Sequence, residues 1–309
     1  MLFPLRLAAL TAAALILNGT SPAAVPRYDH IFVIVDENKD LNRVIGRSPA
    51  PHINEAALTY GYASHYDAVA HPSEPNYVAL VGGGTFGIHD DGPFTKNAVD
   101  APSLATQLDA AHLSWKGYYE DIPAPGSLVT YHGLYASKHS GFLNFLEVQR
   151  DPARLAHLVG FDELDRDAAS DRLPNFALIV PNLCNDMHGA MGNGAPPDCW
   201  PMRASALIAR GDTAFANIVE RLTATPMWKS AQNVAIVLTY DEDDAGGTEG
   251  GGGRVPLVVM TNHGPRHFVD ATPYTHYSLL RTIEESLGLA PLASAQHATL
   301  MTPLFSLGH

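Results

Sequence analysis

The chain has 309 residues, 46% of them hydrophobic and 17% charged, with a formal net charge of −13. That apolar content is ample for a sizeable core and excludes a disordered chain. The acidic balance, which becomes −14 (−13 − 1) if Arg6 is lost with a leader, excludes a non-specific electrostatic grip on nucleic acid or on an anionic membrane.

The first segment carries Arg6, an apolar stretch from Leu7 to Leu17, and small residues around Ser21, Ala23 and Ala24. This is the pattern of a secretory signal peptide over residues 1–24, and it predicts a secreted or periplasmic protein with a mature part of 25–309. No later run is long and apolar enough to span a bilayer, so stable membrane insertion is not expected.

Continuous apolar runs at His30 to Val35, Phe176 to Val180, Val234 to Leu238 and Val255 to Met260 read as strands buried on both faces. Helical spacing of apolar residues appears over Pro102 to Ala111, Thr213 to Thr223 and Tyr277 to Leu287. The alternation predicts an α/β fold, a mostly parallel doubly wound sheet with helices on both faces. No repeat or Pro/Ser-rich linker divides the chain, so one domain is expected over 25–309. A glycine tract, Gly246 to Gly253, reads as a flexible loop and lacks the GK[ST] of a phosphate-cradling loop. In an exported chain the pair Cys184 and Cys199 reads most simply as a disulfide, two buried thiols being the alternative.

The chemistry gathers where strands end. Behind Val234 to Leu238 stand Asp241, Glu242, Asp243 and Asp244, a costly row of like charges unless water screens them or a cation sits among them. The first strand runs likewise into Asp36-Glu37-Asn38. In a parallel sheet all carboxyl ends share one edge, so two strands deliver oxygen ligands to one place, as a hard divalent cation requires.

The segment His71-Pro72-Ser73-Glu74-Pro75-Asn76-Tyr77 reads as a helix start with Ser73 at the N-cap. A serine there either caps the helix or, in the positive end of its dipole, serves as a nucleophile towards phosphate. Pro181 to Gly189 follows a third strand, and its Asp186 and His188 either bind phosphate oxygens, move protons or orient a ligand, or belong to a polar loop. His276, before the last helix, is either near the site or on the surface.

Taken in order, Asp36-Glu37-Asn38, HPSEPNY, PNLCNDMH, TYDEDDAGG, GRVPLVVM and HYSLLRTIEESLG resemble the bacterial secreted phosphoesterase family of acid phosphatases and phospholipases C, over about Tyr28 to Leu289. The likeness is greatest to its short members, the secreted acid phosphatases described as phosphatidylinositol 3-phosphatases. The resemblance implies an alkaline-phosphatase-like fold with one divalent metal, Mg, Ca or Mn. Glu37, Asn38, Asp241 and Glu242 would be its ligands, joined by Ser73, which would also be the nucleophile. Larger members set an Asp and a His side by side where this chain has Asp186-Met187-His188. The expected function is a metal-dependent phosphomonoesterase in which His71, Asp186 and His188 bind phosphate or move protons. Its substrate would be a phosphate ester, with a phosphoinositide among the candidates. A phospholipase C-type diesterase and a non-enzymatic calcium-binding module are the alternatives. A serine esterase is disfavoured, because no GxSxG elbow occurs.

Overall fold

The computed structural model describes residues 24–192, 194–244 and 251–307. The expected leader, up to Ala23, and most of the glycine tract therefore lie outside the described residues.

Eight strands form the main sheet: β1 (His30–Asp36), β2 (Gly61–Ala63), β3 (Trp115–Tyr119), β4 (Leu158–Val159), β5 (Phe176–Val180), β6 (Val234–Tyr240), β7 (Leu257–Thr261) and β8 (Phe268–Asp270). Their order across the sheet is β8-β2-β7-β6-β1-β5-β3-β4. Every pairing is parallel except those of β7, which runs against both β6 and β2. The central strands β1, β5 and β6 are buried almost throughout, which is why they carry unbroken apolar runs rather than alternation. The run expected from Val255 begins at Leu257, because Pro256 has no N–H to give the ladder.

Helices pack around this sheet in two groups. The first joins α1 (Pro51–Thr59), α4 (Phe161–Ala169) and α5 (Ala204–Thr223), and the second joins α2 (Ser73–Gly82), α3 (Leu104–Ala110) and α6 (His276–Leu287). The sequence predicts a helix over Thr213 to Thr223, yet α5 begins at Ala204. Asp212 is spent elsewhere. Its carboxylate is buried and accepts the amides of His52 (3.2 Å) and Ile53 (2.8 Å), so it satisfies free N–H groups at the start of α1. No helix among the described residues is long and apolar enough to cross a membrane.

Cys184 and Cys199 form the expected disulfide, with Cα atoms 5.0 Å apart. It closes the loop after β5, and the amide of Ala190 bonds the carbonyl of Cys199 at 3.1 Å across that loop.

One buried acid far from the strand ends makes stability depend on pH. Glu284 in α6 is fully buried, accepts the Leu292 amide at 2.7 Å through Oε1, and has no partner for Oε2. Burial pushes its pKa from 4.5 up to about 8. The native state then holds a proton that the unfolded chain releases, so this contribution is complete below about 4.5 and is lost as pH rises through about 8. Glu284→Gln keeps the acceptor and removes the titration. Its unfolding free energy at pH 8.5 is expected to exceed that of the parent by roughly 1–3 kcal/mol, with little difference at pH 5. Denaturant titrations at the two pH values check this.

Candidate active site

Hydrogen bonding of the sheet sets the frame. Asp36 pairs in register with Tyr240, so β1 and β6 end level with one another. Beyond them the amide of Asp241 bonds the carbonyl of Asp36 at 3.0 Å, and the amide of Glu37 bonds the carbonyl of Asp186 at 2.6 Å. Three strand ends are thereby tied into one platform, the edge at which ligands bind in open parallel sheets.

Asn38 follows with φ of 52°, a left-handed conformation that asparagine tolerates better than most residues. Its amide donates to Asp241 Oδ1 at 3.0 Å, while its side chain lines the cleft.

Ser73 comes from α2, and here the sequence expectation needs a correction. The N-cap is Pro72, and Ser73 is the first helical residue with no capping bond from its side chain. The amide of Glu74, the second helical residue, is bonded by Asp91 Oδ1 at 3.0 Å. The serine hydroxyl is free to turn inward, where Oγ lies 3.2 Å from Glu37 Oε2 and 3.0 Å from Glu242 Oε1. Asn76 holds the approach to this helix: Oδ1 accepts the amides of Val69 and Ala70, both at 3.0 Å, and Nδ2 donates to the carbonyls of Ala70 (2.8 Å) and Pro72 (3.2 Å).

His71 contacts Glu242 Oε2 through Nδ1, and its Nε2 lies 3.5 Å from Asp243 Oδ1. On the other side of Glu37 stand Asp186 and His188. Asp186 Oδ1 accepts the amide of His188 at 2.7 Å, and His188 Nδ1 lies 2.8 Å from the carbonyl of Gly189. Met187 between them has φ of 74° and is fully buried, accepting a bond from the Tyr240 hydroxyl on sulfur at 3.4 Å. The extra residue is thus folded downwards, and its two neighbours both remain at the cleft floor.

That arrangement leans on Gly211, since a Cβ there would overlap the Met187 side chain and lie 3.1 Å from the carbonyl of Asn185. Gly211→Ala is expected to cost about 1–3 kcal/mol of stability by overpacking. Displacing Met187 should also lower kcat, and thermal melts alongside steady-state kinetics separate the two effects.

Three groups near the site carry no signal in the sequence reading. Tyr77 donates to Glu37 Oε1 at 2.6 Å, and His139 stacks on the Tyr77 ring with centroids 5.1 Å apart. Lys138 is nearly buried and lies 2.6 Å from Asp91 Oδ2. Tyr77 is findable in principle, because it stands one helical turn after Ser73 and so shares its face. Lys138 and His139 sit on a short 3-10 turn, Ser137–His139, which offers no periodicity to read. His276 is the first residue of α6 and is buried. It supports the site from behind, with Nε2 2.7 Å from the carbonyl of Asp241 and Nδ1 2.9 Å from the Tyr66 hydroxyl. Burial lowers its pKa to about 4, so the ring is neutral.

The electrostatics favour a cation. Burial, and then Asp186 and Glu242, push Glu37 well above the ordinary carboxylate range. Asp241 and Asp186 are raised in the same way, burial leading in each case. Burial and Asp241 raise Glu242 to about 7. Asp241 Oδ2 is buried with no hydrogen-bond partner. Burial alone would lower Lys138, but Glu37 and Asp91 outweigh it and hold the ammonium protonated. A second positive charge is what these oxygens lack, and a hard oxygen-rich donor set suits a divalent cation. Glu37, His139 and His188 also bring one ligand atom each to within 4.8 Å of one another.

The floor opens into a cleft of about 540 Å³ lined by Asn38, Lys39, His71, His188, Leu207 and Glu242. A slightly larger hollow of about 580 Å³ surrounds Arg210 and contains none of these groups, so the chemistry belongs to the former.

The sequence profile of the phosphoesterase family matches residues 47–290. The chain belongs to that family. As a phosphoesterase it is a hydrolase of phosphate esters. It is 32% identical over 292 residues to the phosphatidylinositol-3-phosphatase of Mycobacterium tuberculosis, an alignment covering 93% of this chain and 86% of that protein. It is 27% identical over 292 residues to a probable acid phosphatase of Kluyveromyces lactis, covering 92% of this chain but 63% of that longer relative. Among solved structures, a member of the alkaline phosphatase superfamily from Vibrio parahaemolyticus superposes with a TM-score of 0.59 at 11% identity, over 87% of this chain and 69% of that one. The phosphoesterase thus has the alkaline-phosphatase-like fold that its motifs imply.

Proposed function

We propose that this phosphoesterase is an exported phosphomonoesterase that uses Ser73 as its nucleophile and works with one divalent metal, Mg, Ca or Mn. The observation that carries the reading is the Ser73 hydroxyl, buried at the start of α2 and within 3.2 Å of carboxylates from two different strand ends. Glu37, Asn38, Asp241 and Glu242 would hold the metal together with Ser73. Bound there, it offsets charge on the phosphoryl group and lowers the pKa of the serine hydroxyl.

The protein groups then divide the work. Ser73 Oγ attacks phosphorus, the bond from phosphorus to the leaving oxygen breaks, and a phosphoserine forms that water resolves. Ser73 stands at the positive end of α2, whose dipole favours the developing charge. His71, on the cleft wall beside Glu242, is the candidate for moving the serine or leaving-group proton. His188 stands across Glu37 as a phosphate partner, and Asp186 positions it through its backbone amide. The name of the Mycobacterium tuberculosis relative makes a phosphoinositide the first substrate to try, and the disulfide supports an oxidising compartment.

The test is an assay of the mature protein, stripped and re-supplied with Mg, Ca or Mn, on an aryl phosphate monoester and its diester counterpart. Metal-restored monoester hydrolysis is the expected result. Diester-only turnover would make it a phospholipase C-type enzyme, and silence on both substrates with metal-dependent stabilisation would make it a calcium-binding module.

A further inference from the structure

We infer that Lys39 is a positioning residue for the reaction: its ammonium clamps Asn38, just beyond β1, to Met187, in the loop after β5, and so holds a metal ligand and the pair Asp186 and His188 in one frame. The inference rests on the function above in one respect, the reading of Asn38 as a metal ligand.

Lys39 is only 6% exposed, yet it lines the cleft. A buried ammonium is costly unless its charge and its N–H groups are met. The charges of Asp244, Asp186, Glu37 and Asp241 all act on this one, but it forms no ion pair among the described residues. Its donors go to the backbone instead: Nζ lies 2.7 Å from the carbonyl of Asn38 and 3.1 Å from the carbonyl of Met187. With four acids nearby, two charge-assisted bonds to carbonyls make a backbone brace rather than a counter-ion.

The two residues it holds are both left-handed, Asn38 with φ of 52° and Met187 with φ of 74°. That conformation is unfavourable for any residue with a Cβ, more so for methionine than for asparagine, and it persists where the surroundings over-determine it. The direction of a carbonyl follows from the φ and ψ of its own residue, so a donor fixed on that oxygen locks the conformation. Both locks bear on the chemistry. Asn38 gives its amide to Asp241 Oδ1 at 3.0 Å and turns its side chain to the cleft, while the residue after Met187, His188, gives its amide to Asp186 Oδ1 at 2.7 Å. The bond from the Glu37 amide to the Asp186 carbonyl is the last between the two backbones among the described residues, and Lys39 continues the connection one residue further on.

A brace and a mere charge give opposite signs when Lys39 is replaced. Losing a positive charge beside a cation site tightens metal binding, whereas losing the brace loosens the Asn38 ligand. The experiment compares the mature protein with Lys39→Met and with Lys39→Gln, whose amide keeps two N–H groups but no charge. Hydrogen exchange is followed amide by amide in the metal-free proteins, with Mn(II) affinity and monoester kinetics alongside. In Lys39→Met the amides of Asn38 and His188 should exchange at least ~10-fold faster than in the parent, while those of Val33 and Val237 stay protected and show that the variant is folded. Mn(II) should bind at least ~10-fold more weakly, and kcat should fall by at least ~10-fold with a smaller change in KM. Lys39→Gln should recover part of each loss. If the parent binds no Mn(II) and Lys39→Met still exchanges faster, the metal reading falls and the brace stands. Unchanged exchange at Asn38 and His188, or tighter Mn(II) binding by Lys39→Met than by the parent, would overturn the proposal and leave Lys39 a counter-ion.

Discussion

Ser73→Ala should abolish turnover of a phosphate monoester, with kcat at least ~10³-fold below the parent, because Ser73 is the hydroxyl held between the carboxylates of Glu37 and Glu242. Its stability should change little. Ser73 makes no capping bond, and its hydroxyl meets only carboxylates, so the loss of an N-cap, usually about 1 kcal/mol, does not apply. Rapid-quench measurements should show a burst of product in the parent if water attack on the phosphoserine is slow, and none in the variant. Multiple turnovers by Ser73→Ala near the parental rate would refute a serine nucleophile and point to direct attack by water.

Metal removal should be the second large effect, and it should depend on pH in a defined direction. A ligand at 1,000 times its dissociation constant stabilises by about 4 kcal/mol, equivalent to roughly 5–15 °C in melting temperature for a chain of this size. Without metal, Glu37, Asp241 and Asp186 have folded-state pKa values raised by burial and mutual repulsion. Their contribution to apo stability is complete below the ordinary carboxylate range and is lost as pH climbs towards the raised values. With metal bound, the cation takes the place of those protons. The gap between holo and apo melting temperatures should therefore widen from pH 5 to pH 8, and calorimetry of both forms would show it. A gap that narrows over that interval would mean that these carboxylates do not hold the ion.

How much of this was legible in the chain differs from one residue to the next. Glu37, Asn38, Asp241 and Glu242 were readable because each follows an apolar strand, and a parallel sheet puts strand ends on one edge. Asp186 and His188 were readable for the same reason, though not the downward turn of Met187 that keeps them together, which depends on a glycine in a distant helix. For Ser73 the sequence predicts an N-cap, and the structure differs by one residue. It stands at a helix start, but as the first helical residue with Pro72 as the N-cap, so its hydroxyl does not cap. Lys138 and His139 were out of reach, since their turn follows a two-residue hairpin arm and carries no periodic pattern. His276 could be placed at a helix start, but only the fold shows that it faces the carbonyl of Asp241.

The backbone bonds from Asp241 to Asp36 and from Glu37 to Asp186 have a further implication. They extend the ladder of the three central strands, where opening requires the whole sheet to part. The amides of Glu37 and Asp241 should then exchange with solvent deuterium only through global unfolding, as slowly as those of Val33 or Val237. Heating would erase fold and chemistry in a single cooperative step, with no intermediate that keeps the sheet but has lost its reactive floor. Adaptation to new substrates would be left to the loops that wall the cleft.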